Sequence, residues 1–250
     1  MEVNLENILK KIEDFFQYQS ELNVPIYLPE KFLEIINQQI KLNTQFIDSF
    51  LSKISEPFVG AKSLSELDSL INKCVKCSLG NLRKNFVFGV GNPNADIVFV
   101  GEAPGADEDE QGEPFVGKAG KLLTETLSTL GFRRDEVYIC NILKCRPPNN
   151  RDPLPAEVEK CEPYLLKQLS LIKPKIIVAL GRIAGNTLLK KNETLSNLRR
   201  NIFNYYDIPF FVTFHPAAIL RNPNWKRDFE KDLEIMKEFY LSLAEKKKVL

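Results

Sequence analysis

The sequence predicts a three-layer α/β fold, and two observations support this prediction. First, four short runs rich in β-branched and aromatic residues, the usual composition of buried strands, lie at 97–100, 137–143, 176–180 and 210–214. Second, stretches in which apolar residues recur at helical spacing follow these runs, at 118–130, 156–171, 183–190 and 224–245. Strands that alternate with helices form a parallel sheet with helices on both faces.

The N-terminal segment, residues 1–60, is predicted to be a helical extension of the main domain, which comprises residues 61–250. Apolar residues follow a helical stripe in this segment, but nothing in it resembles a catalytic site. The pattern favours a helical hairpin packed on the main domain or on another chain. A docking module for a protein partner is the alternative interpretation.

The composition describes an ordinary globular protein rather than a membrane or disordered one. Of the 250 residues, 44% are hydrophobic and 27% are charged. The net charge is +1, so any nucleic-acid surface must be a local basic patch. The N-terminus lacks the apolar core of a signal peptide, and no segment approaches the ~18 consecutive apolar residues of a membrane span. We therefore expect a cytoplasmic protein that does not bind membranes.

The segment between Gly101 and Gly120 is the first candidate ligand site. It begins where a predicted strand ends, which is where open α/β sheets bind ligands. Its six acidic residues between Glu102 and Glu113 make it a poor phosphate cradle, and its glycines match no nucleotide-binding pattern. An acidic surface loop is the simpler explanation, but it does not account for Phe115, an aromatic within a glycine-rich loop. Phe115 is placed to contact a flat ligand.

Two further polar residues occur at the ends of predicted strands. Asn141 interrupts one apolar run, and His215, the single histidine of the chain, follows another. Each could be an ordinary buried polar group that ties down a neighbouring loop. Together with Glu102 and Phe115, however, they offer an amide, an imidazole, a carboxylate and an aromatic ring at one edge of the sheet. This combination predicts a base-recognition pocket.

The five cysteines indicate a metal centre. Cys74 and Cys77 form a C-x2-C pair, and Cys145 and Cys161 are separated by fifteen residues. Four thiolates suit either zinc or a [4Fe–4S] cluster. The lack of a second C-x2-C pair favours the cluster over zinc, and a set of buried free cysteines remains the alternative. Cys140 lies inside an apolar run and is assigned to the core.

Taken together, these motifs resemble those of family 4 uracil-DNA glycosylases, the iron–sulfur branch of that superfamily. The resemblance extends from about residue 63 to about residue 240, and it excludes residues 1–60. It rests on the order and spacing of Cys74-x2-Cys77, Gly101-Glu-Ala-Pro-Gly105, Pro114-Phe-Val-Gly117, Asn141, Lys144-Cys-Arg-Pro-Pro148, Cys161 and His215-Pro216. It implies a three-layer α/β/α sandwich around a four-stranded parallel sheet.

The resemblance also implies an activity, the release of free uracil from single- and double-stranded DNA to leave an abasic site. The base would be flipped out of the duplex and stacked on Phe115. Asn141 would accept a hydrogen bond from N3–H and donate one to O4. His215, if neutral, would donate to O2 as negative charge develops there. Glu102 would position the attacking water.

Other site residues follow from the same resemblance. Ala103 stands where the best-known branch carries a water-assisting Asp, and Gly105 lets the backbone approach the base. Glu108 would form the wall that excludes the thymine methyl group. Arg221 would enter the space left by the flipped nucleotide or hold a phosphate. Charge, and not the resemblance, indicates which residues could form a basic DNA footprint, and for each of them alone a solvated surface charge is the simpler interpretation: Lys144, Arg146, Arg199, Arg200, Lys226 and Arg227.

The family's [4Fe–4S] cluster maps onto Cys74, Cys77, Cys145 and Cys161, and Cys140 is excluded from the ligand set. The arrangement after Asn141 implies turnover rather than a covalent product complex. Two alternatives remain at this level: a non-catalytic, metal-stabilised DNA-binding module, and a glycosylase for another deaminated base such as hypoxanthine.

Overall fold

The computed structural model describes residues 46–244, in which six strands form one mixed sheet. The strand order is β1-β3-β2-β4-β6-β5. The strands are β1 (Val90–Gly91), β2 (Ile97–Gly101), β3 (Tyr138–Asn141), β4 (Ile176–Leu180), β5 (Phe203–Tyr205) and β6 (Ile208–Thr213).

The four central strands are parallel and correspond to the four runs that the sequence predicted. The α/β class is confirmed, but the expectation of a purely four-stranded parallel sheet is wrong. β1 and β5 add antiparallel edges beside β3 and β6. These strands have two and three residues, too few to show an alternating pattern. β5 joins β6 through Tyr206 and Asp207, whose φ angles of 49° and 63° are typical of a tight hairpin turn.

Residues 64–244 contain eight α-helices, the first of which precedes all six strands. The four predicted helices correspond to α3, α4, α5 and α8 below, with ends shifted by a few residues. The helices are α1 (Leu64–Ile71), α2 (Ala106–Gln111), α3 (Lys118–Thr129), α4 (Pro155–Ile172), α5 (Arg182–Leu189), α6 (Leu195–Arg199), α7 (Pro216–Arg221) and α8 (Lys226–Ala244).

Helix α2 occupies part of the segment that the sequence indicated as an acidic loop. It has no apolar stripe, so hydrophobic periodicity could not detect it. Its first turn contains Asp107, Glu108 and Asp109, whose negative charges stabilise a helix N-terminus. The helix ends at Gly112, which takes the left-handed conformation that suits glycine (φ 79°).

The sheet has an apolar core on each face because successive strand residues point to opposite sides. On β2, Val98 and Val100 pack into one cluster, whereas Ile97 and Phe99 pack into the other. The first cluster includes residues of α1 and α4, and the second includes residues of α3 and α8. This is the layered arrangement expected of an α/β fold.

The described part of the predicted N-terminal extension begins at residue 46. Ile47, Leu51 and Phe58 are buried in the same apolar cluster as α4. Residues 1–45 lie outside the described range, so the helical extension and its division from the main domain at residue 60 stay predictions. Among residues 46–244, no helix combines the length and the apolar character required to cross a membrane.

Candidate active site

The candidate site lies at the edge of the sheet where the parallel strands end. In the register of the sheet Gly101 pairs with Asn141, and β4 and β6 end side by side. Glu102 directly follows β2, and His215 follows β6. A methyl group on Gly181, the residue after β4, would lie 2.9 Å from the His215 Cβ. The strand ends therefore bring the predicted pocket residues together.

Gly101 allows Phe115 and Asn141 to meet at the floor of the pocket. A methyl group at Gly101 would lie 2.3 Å from Asn141 Oδ1 and 2.8 Å from Phe115 Cζ, so only glycine fits here. Phe115 is buried, and its ring centroid lies 5.5 Å from that of His215 with 32° between the planes. The ring, the amide and the imidazole thus lie close together.

The side-chain oxygen of Asn141 is a buried acceptor that no donor of residues 46–244 satisfies. The residue is only 2% exposed. Buried polar atoms are normally paired, because an unpaired one costs free energy comparable to a lost hydrogen bond. Beside an aromatic ring, such an acceptor is suited to an N–H group of a bound ligand.

His215 is held as a neutral hydrogen-bond donor. It caps α7, and its Nδ1 accepts a hydrogen bond from the Ala217 amide at 3.1 Å. Burial and, to a smaller extent, the positive charge of Arg221 together lower the pKa of His215 to about 4. A neutral imidazole whose Nδ1 accepts a hydrogen bond must carry its proton on Nε2. His215 can therefore donate from Nε2 to a ligand oxygen at neutral pH.

Glu102 carries a carboxyl group whose pKa lies near neutral pH. Burial, helped by the negative charge of Asp152, raises its pKa to about 7. The positive charges of Arg182 and Arg221 oppose it. A group that titrates near the working pH can accept a proton from water, which is what general-base chemistry requires.

Comparison with known proteins identifies the family of this chain. Residues 88–238 match the family model described as the uracil DNA glycosylase superfamily. The Type-4 uracil-DNA glycosylase of Archaeoglobus fulgidus is 48% identical over 181 residues, which cover 69% of this chain and 91% of that protein. The chain belongs to the type-4 uracil-DNA glycosylases.

Two more relatives show how far the similarity extends. The Type-4 uracil-DNA glycosylase of Sulfurisphaera tokodaii is 44% identical over 189 residues, covering 72% of this chain and 86% of the relative. A Type-5 uracil-DNA glycosylase of Pyrobaculum aerophilum is 31% identical over 146 residues, covering 52% and 64%. The resemblance inferred from the sequence motifs is confirmed.

Glu108, another predicted site residue, holds the loop around Phe115 through hydrogen bonds. Its Oε1 accepts hydrogen bonds from the amides of Val116 and Gly117, each at 3.1 Å. Its Oε2 accepts one from the amide of Gly105, also at 3.1 Å. The carboxylate therefore faces the protein backbone, and its predicted action against the thymine methyl group stays a prediction.

The other predicted substrate-binding residues surround these groups. Ala103 is half-buried and packs against the apolar core on one face of the sheet. Gly105 caps α2. Arg221 is exposed at the end of α7, where its charge acts on both Glu102 and His215.

Two residues of the predicted basic footprint are not available to DNA. Lys144 is fully buried, and its Nζ donates to the Asn141 carbonyl oxygen at 2.8 Å and to Gln168 Oε1 at 2.6 Å. Arg199 is largely buried and pairs with Asp232, with Nε 2.6 Å from Oδ2. Both positions were predicted from charge alone, which does not indicate burial. Three others are exposed, namely Arg200, Lys226 and Arg227, and Arg146 is partly exposed.

Arg182 and Asp152 were missed by the sequence analysis, although their charges shift the pKa of Glu102 in opposite directions. Arg182 begins α5 directly after β4 and Gly181. The strand-end argument that identified Glu102 and His215 could therefore have found it. Asp152 lies in an irregular loop between β3 and α4, and the sequence contains no signal for its position.

The four predicted cysteine ligands come from three segments of the chain. Cys145 and Cys161 are buried, and Cys74 and Cys77 are partly exposed. Burial is the main cause that raises the pKa of Cys145 to about 11, and the nearby Arg83 opposes it. Arg83 Nη1 donates both to the Cys74 carbonyl oxygen at 2.5 Å and to Cys145 Sγ at 3.4 Å. The hydroxyl group of Tyr164, on the same helix as Cys161, donates to Cys74 Sγ, so the three segments converge.

The cysteine region does not form a compact single-ion site. Within residues 46–244, no group of three or more His, Cys, Asp or Glu side chains is arranged to hold a metal ion. Tyr164 donates to Cys74 Sγ at 3.3 Å, and Arg83 donates to Cys145 Sγ at 3.4 Å. The set consists entirely of thiols, which fits the donor chemistry of an iron–sulfur cluster.

Proposed function

We propose a role for each residue of the pocket in the excision of uracil. As a member of the type-4 family, the chain is a hydrolytic DNA repair enzyme that removes uracil from DNA and leaves an abasic site. The observation that carries the residue assignments is the buried, unpaired Oδ1 of Asn141 beside the ring of Phe115.

Phe115 and Asn141 recognise the base. Uracil flipped out of the helix stacks on Phe115, while Asn141 Oδ1 accepts from N3–H and Nδ2 donates to O4. Cytosine has no hydrogen on N3 and carries an amino donor in place of O4. An amide held with its unpaired Oδ1 towards the base therefore rejects cytosine strongly, because polar groups on both molecules would be left unpaired.

His215 stabilises the leaving group. Cleavage of the N-glycosidic bond leaves negative charge on the uracil ring, including O2. The neutral imidazole donates a hydrogen bond from its Nε2–H group to O2. Mutagenesis of comparable donors to developing oxyanions indicates a contribution of about 3 kcal/mol to the barrier.

Glu102 orients the water that attacks the sugar. Because its pKa lies near 7, a substantial fraction of the carboxyl group is ionised at neutral pH and can accept a hydrogen bond from water. Ala103, the next residue, offers no side-chain acceptor for this task. Glu102 is therefore our candidate for the water-positioning group.

The DNA strand contacts the exposed basic residues next to the pocket. Arg221 lies at the end of α7, and Lys226 and Arg227 begin α8 immediately afterwards. We assign Arg221 to the space left by the flipped nucleotide or to a phosphate, and the other two to phosphates. Both single- and double-stranded DNA can reach such an open edge. A protein partner for residues 1–60 also remains a proposal.

A [4Fe–4S] cluster is the cofactor that we propose, with Cys74, Cys77, Cys145 and Cys161 as its ligands. A zinc ribbon usually carries a second C-x2-C pair, and the lack of one in this sequence favours the cluster. The cluster would cross-link the segment 74–77 to the loop after β3 and to α4, a structural role.

Uracil release should be measured on single- and double-stranded oligonucleotides that contain one deoxyuridine, together with the visible absorption spectrum of the same anaerobic sample. Cys161→Ser should lose iron and the charge-transfer absorption, whereas the matched control Cys140→Ser should keep both. Iron retained in Cys161→Ser, or zinc in an active wild-type protein, would remove the cluster assignment.

The choice of base is tested by competition between uracil and hypoxanthine substrates. Asn141 alone does not separate these bases, because hypoxanthine offers N1–H and O6 where uracil offers N3–H and O4. We expect preference for uracil from the fit of the smaller pyrimidine ring against Phe115 and His215. Equal release of both bases would favour the alternative of a glycosylase with a broader base range, and it would leave the role of Asn141 unchanged.

A further inference from the structure

We propose that Arg134 and Glu108 are positioning residues that clamp Phe115 from both sides and so fix the ring on which the base stacks. This inference rests on the proposed role of Phe115 in binding uracil. It extends that role to a residue outside the pocket, Arg134, and gives Glu108 a function different from contact with the base.

Phe115 has a backbone conformation that needs support from its surroundings. Its φ angle is 54°, in the left-handed region that residues other than glycine seldom adopt. Such conformations persist where the surrounding structure holds them, and they concentrate at functional sites. The close approach of α3 contributes, because a methyl group on Gly120 would lie 1.7 Å from the Phe115 carbonyl oxygen.

Hydrogen bonds hold the peptide groups on both sides of Phe115. On one side, Arg134 Nη2 donates to the Pro114 carbonyl oxygen at 2.6 Å. On the other side, Glu108 Oε1 accepts from the Val116 amide at 3.1 Å. With the preceding carbonyl and the following amide both fixed, the backbone of Phe115 has little freedom to rotate towards an ordinary extended conformation.

Both members of the clamp are themselves anchored. Arg134 is partly buried, and its Nη1 donates to Thr124 Oγ1 in α3 at 3.3 Å. The second oxygen of Glu108 accepts from the Gly105 amide at the start of α2. Burial lowers the pKa of Arg134, whereas the charges of Glu113 and Glu108 raise it. The clamp therefore joins α2, α3 and the Phe115 loop into one unit.

A double-mutant cycle between Arg134 and Phe115 tests the clamp. Single-turnover uracil release would be measured for Arg134→Met, Phe115→Ala and the double variant. We expect Arg134→Met to slow release by roughly 10- to 100-fold, the effect of a misplaced contact group, with little change in KM for DNA. In the Phe115→Ala background, the same substitution should cost nothing further.

Three controls make the result specific. Arg133→Met removes the adjacent, exposed arginine and should leave the rate unchanged. Arg134→Lys keeps the positive charge but cannot make both hydrogen bonds, to the Pro114 carbonyl oxygen and to Thr124 Oγ1. It should therefore keep only part of the wild-type rate. Glu108→Gln presents an amide group towards backbone donors, and it should repeat the Arg134→Met effect and its dependence on Phe115.

The outcomes separate failure of the clamp from failure of the pocket. If Arg134→Met slows release equally with and without Phe115, with a melting temperature close to that of Arg133→Met, the clamp is overturned. If Phe115→Ala alone leaves release unchanged, the proposed role of Phe115 is wrong and the clamp has no function to support.

Discussion

Two polar side chains three residues apart show how differently the pocket and the core behind it treat hydrogen bonding. Lys144 is fully buried and donates to two acceptors. One of them, Gln168, in turn donates to the Phe88 carbonyl oxygen and to the hydroxyl group of Tyr138. Asn141, by contrast, points an acceptor into the pocket without any donor among residues 46–244.

This difference in hydrogen bonding distinguishes side chains that stabilise the fold from side chains that are available to bind a ligand. A buried group whose partners are all protein atoms contributes to stability, and its removal leaves those partners unsatisfied. A buried group without a partner costs stability in the free protein and gains its partner only on binding. Substitutions at the two positions should therefore have opposite profiles in activity and in stability.

The largest expected effect is that of Asn141→Ala on activity. Loss of both hydrogen bonds to uracil should slow its excision by roughly 1000-fold, the upper range for a single oriented polar group in an active site. Because Asn141 Oδ1 has no protein partner to lose, the free energy of unfolding should change by less than about 1 kcal/mol. Single-turnover excision and urea denaturation of the same samples measure the two effects.

Asn141→Asp provides the matched control, because it keeps the acceptor and removes the donor to O4. It should also excise uracil slowly. An Asn141→Ala protein that excises normally, or that unfolds several kcal/mol more easily than the wild type, would show that the amide belongs to the core network instead.

Glu102→Gln should have a smaller effect, and one that depends on pH. In the wild type the excision rate should rise with pH and level off above about pH 7, as the carboxyl group ionises. The Gln variant should lose this dependence and react about 100-fold more slowly at pH 8. His215 does not contribute near pH 7, because its pKa is lowered to about 4.

The charges around Glu102 allow the assignment to be checked. Asp152→Asn should move the midpoint of the pH profile down, and Arg182→Met should move it up. Because the folded pKa of Glu102 lies above its ordinary value of 4.5, stability should also fall as pH rises from 4.5 through 7, and Glu102→Gln should not show this loss. If the midpoint of the pH profile is unchanged in both the Asp152→Asn and the Arg182→Met variants, Glu102 is excluded as the titrating group.

The sequence predicted which polar residues lie together at one edge of the sheet, because their positions follow from strand ends. Glu102, Asn141 and His215 each stand at the carboxyl end of a parallel strand, and parallel strands bring those ends to one edge of a sheet. Phe115 was identified by contrast with its glycine-rich surroundings. For these residues, position along the chain is enough to place them in space.

Features that depend on contacts between distant segments could not be predicted in this way. Lys144 was assigned to the DNA surface, although Gln168 on α4 holds it in the core. Arg134 had no signal at all, because its partner is a backbone carbonyl of the Phe115 loop. Helix α2 lacks an apolar stripe, and the short strands β1 and β5 are too brief for a pattern. Burial and backbone partners appear only in three dimensions.

The smallest expected effect on activity is that of Lys144→Met, which completes the comparison with Asn141. Removal of the ammonium group leaves the Asn141 carbonyl oxygen and Gln168 Oε1 buried without a donor. The free energy of unfolding should fall by about 1–3 kcal/mol. Excision should slow only a few-fold, roughly what a tilt of the Asn141 backbone by a fraction of an ångström would cause.

The matched control is Lys160→Met on the exposed side of α4, which should change neither property. Gln168→Leu should lose a similar amount of stability as Lys144→Met, and the double variant should lose less than the sum, because the two side chains share one hydrogen bond. A Lys144→Met protein of normal stability but with excision reduced as strongly as in Asn141→Ala would contradict the division drawn here. In that case the lysine would act on the base through Asn141, and the core network would be part of the pocket.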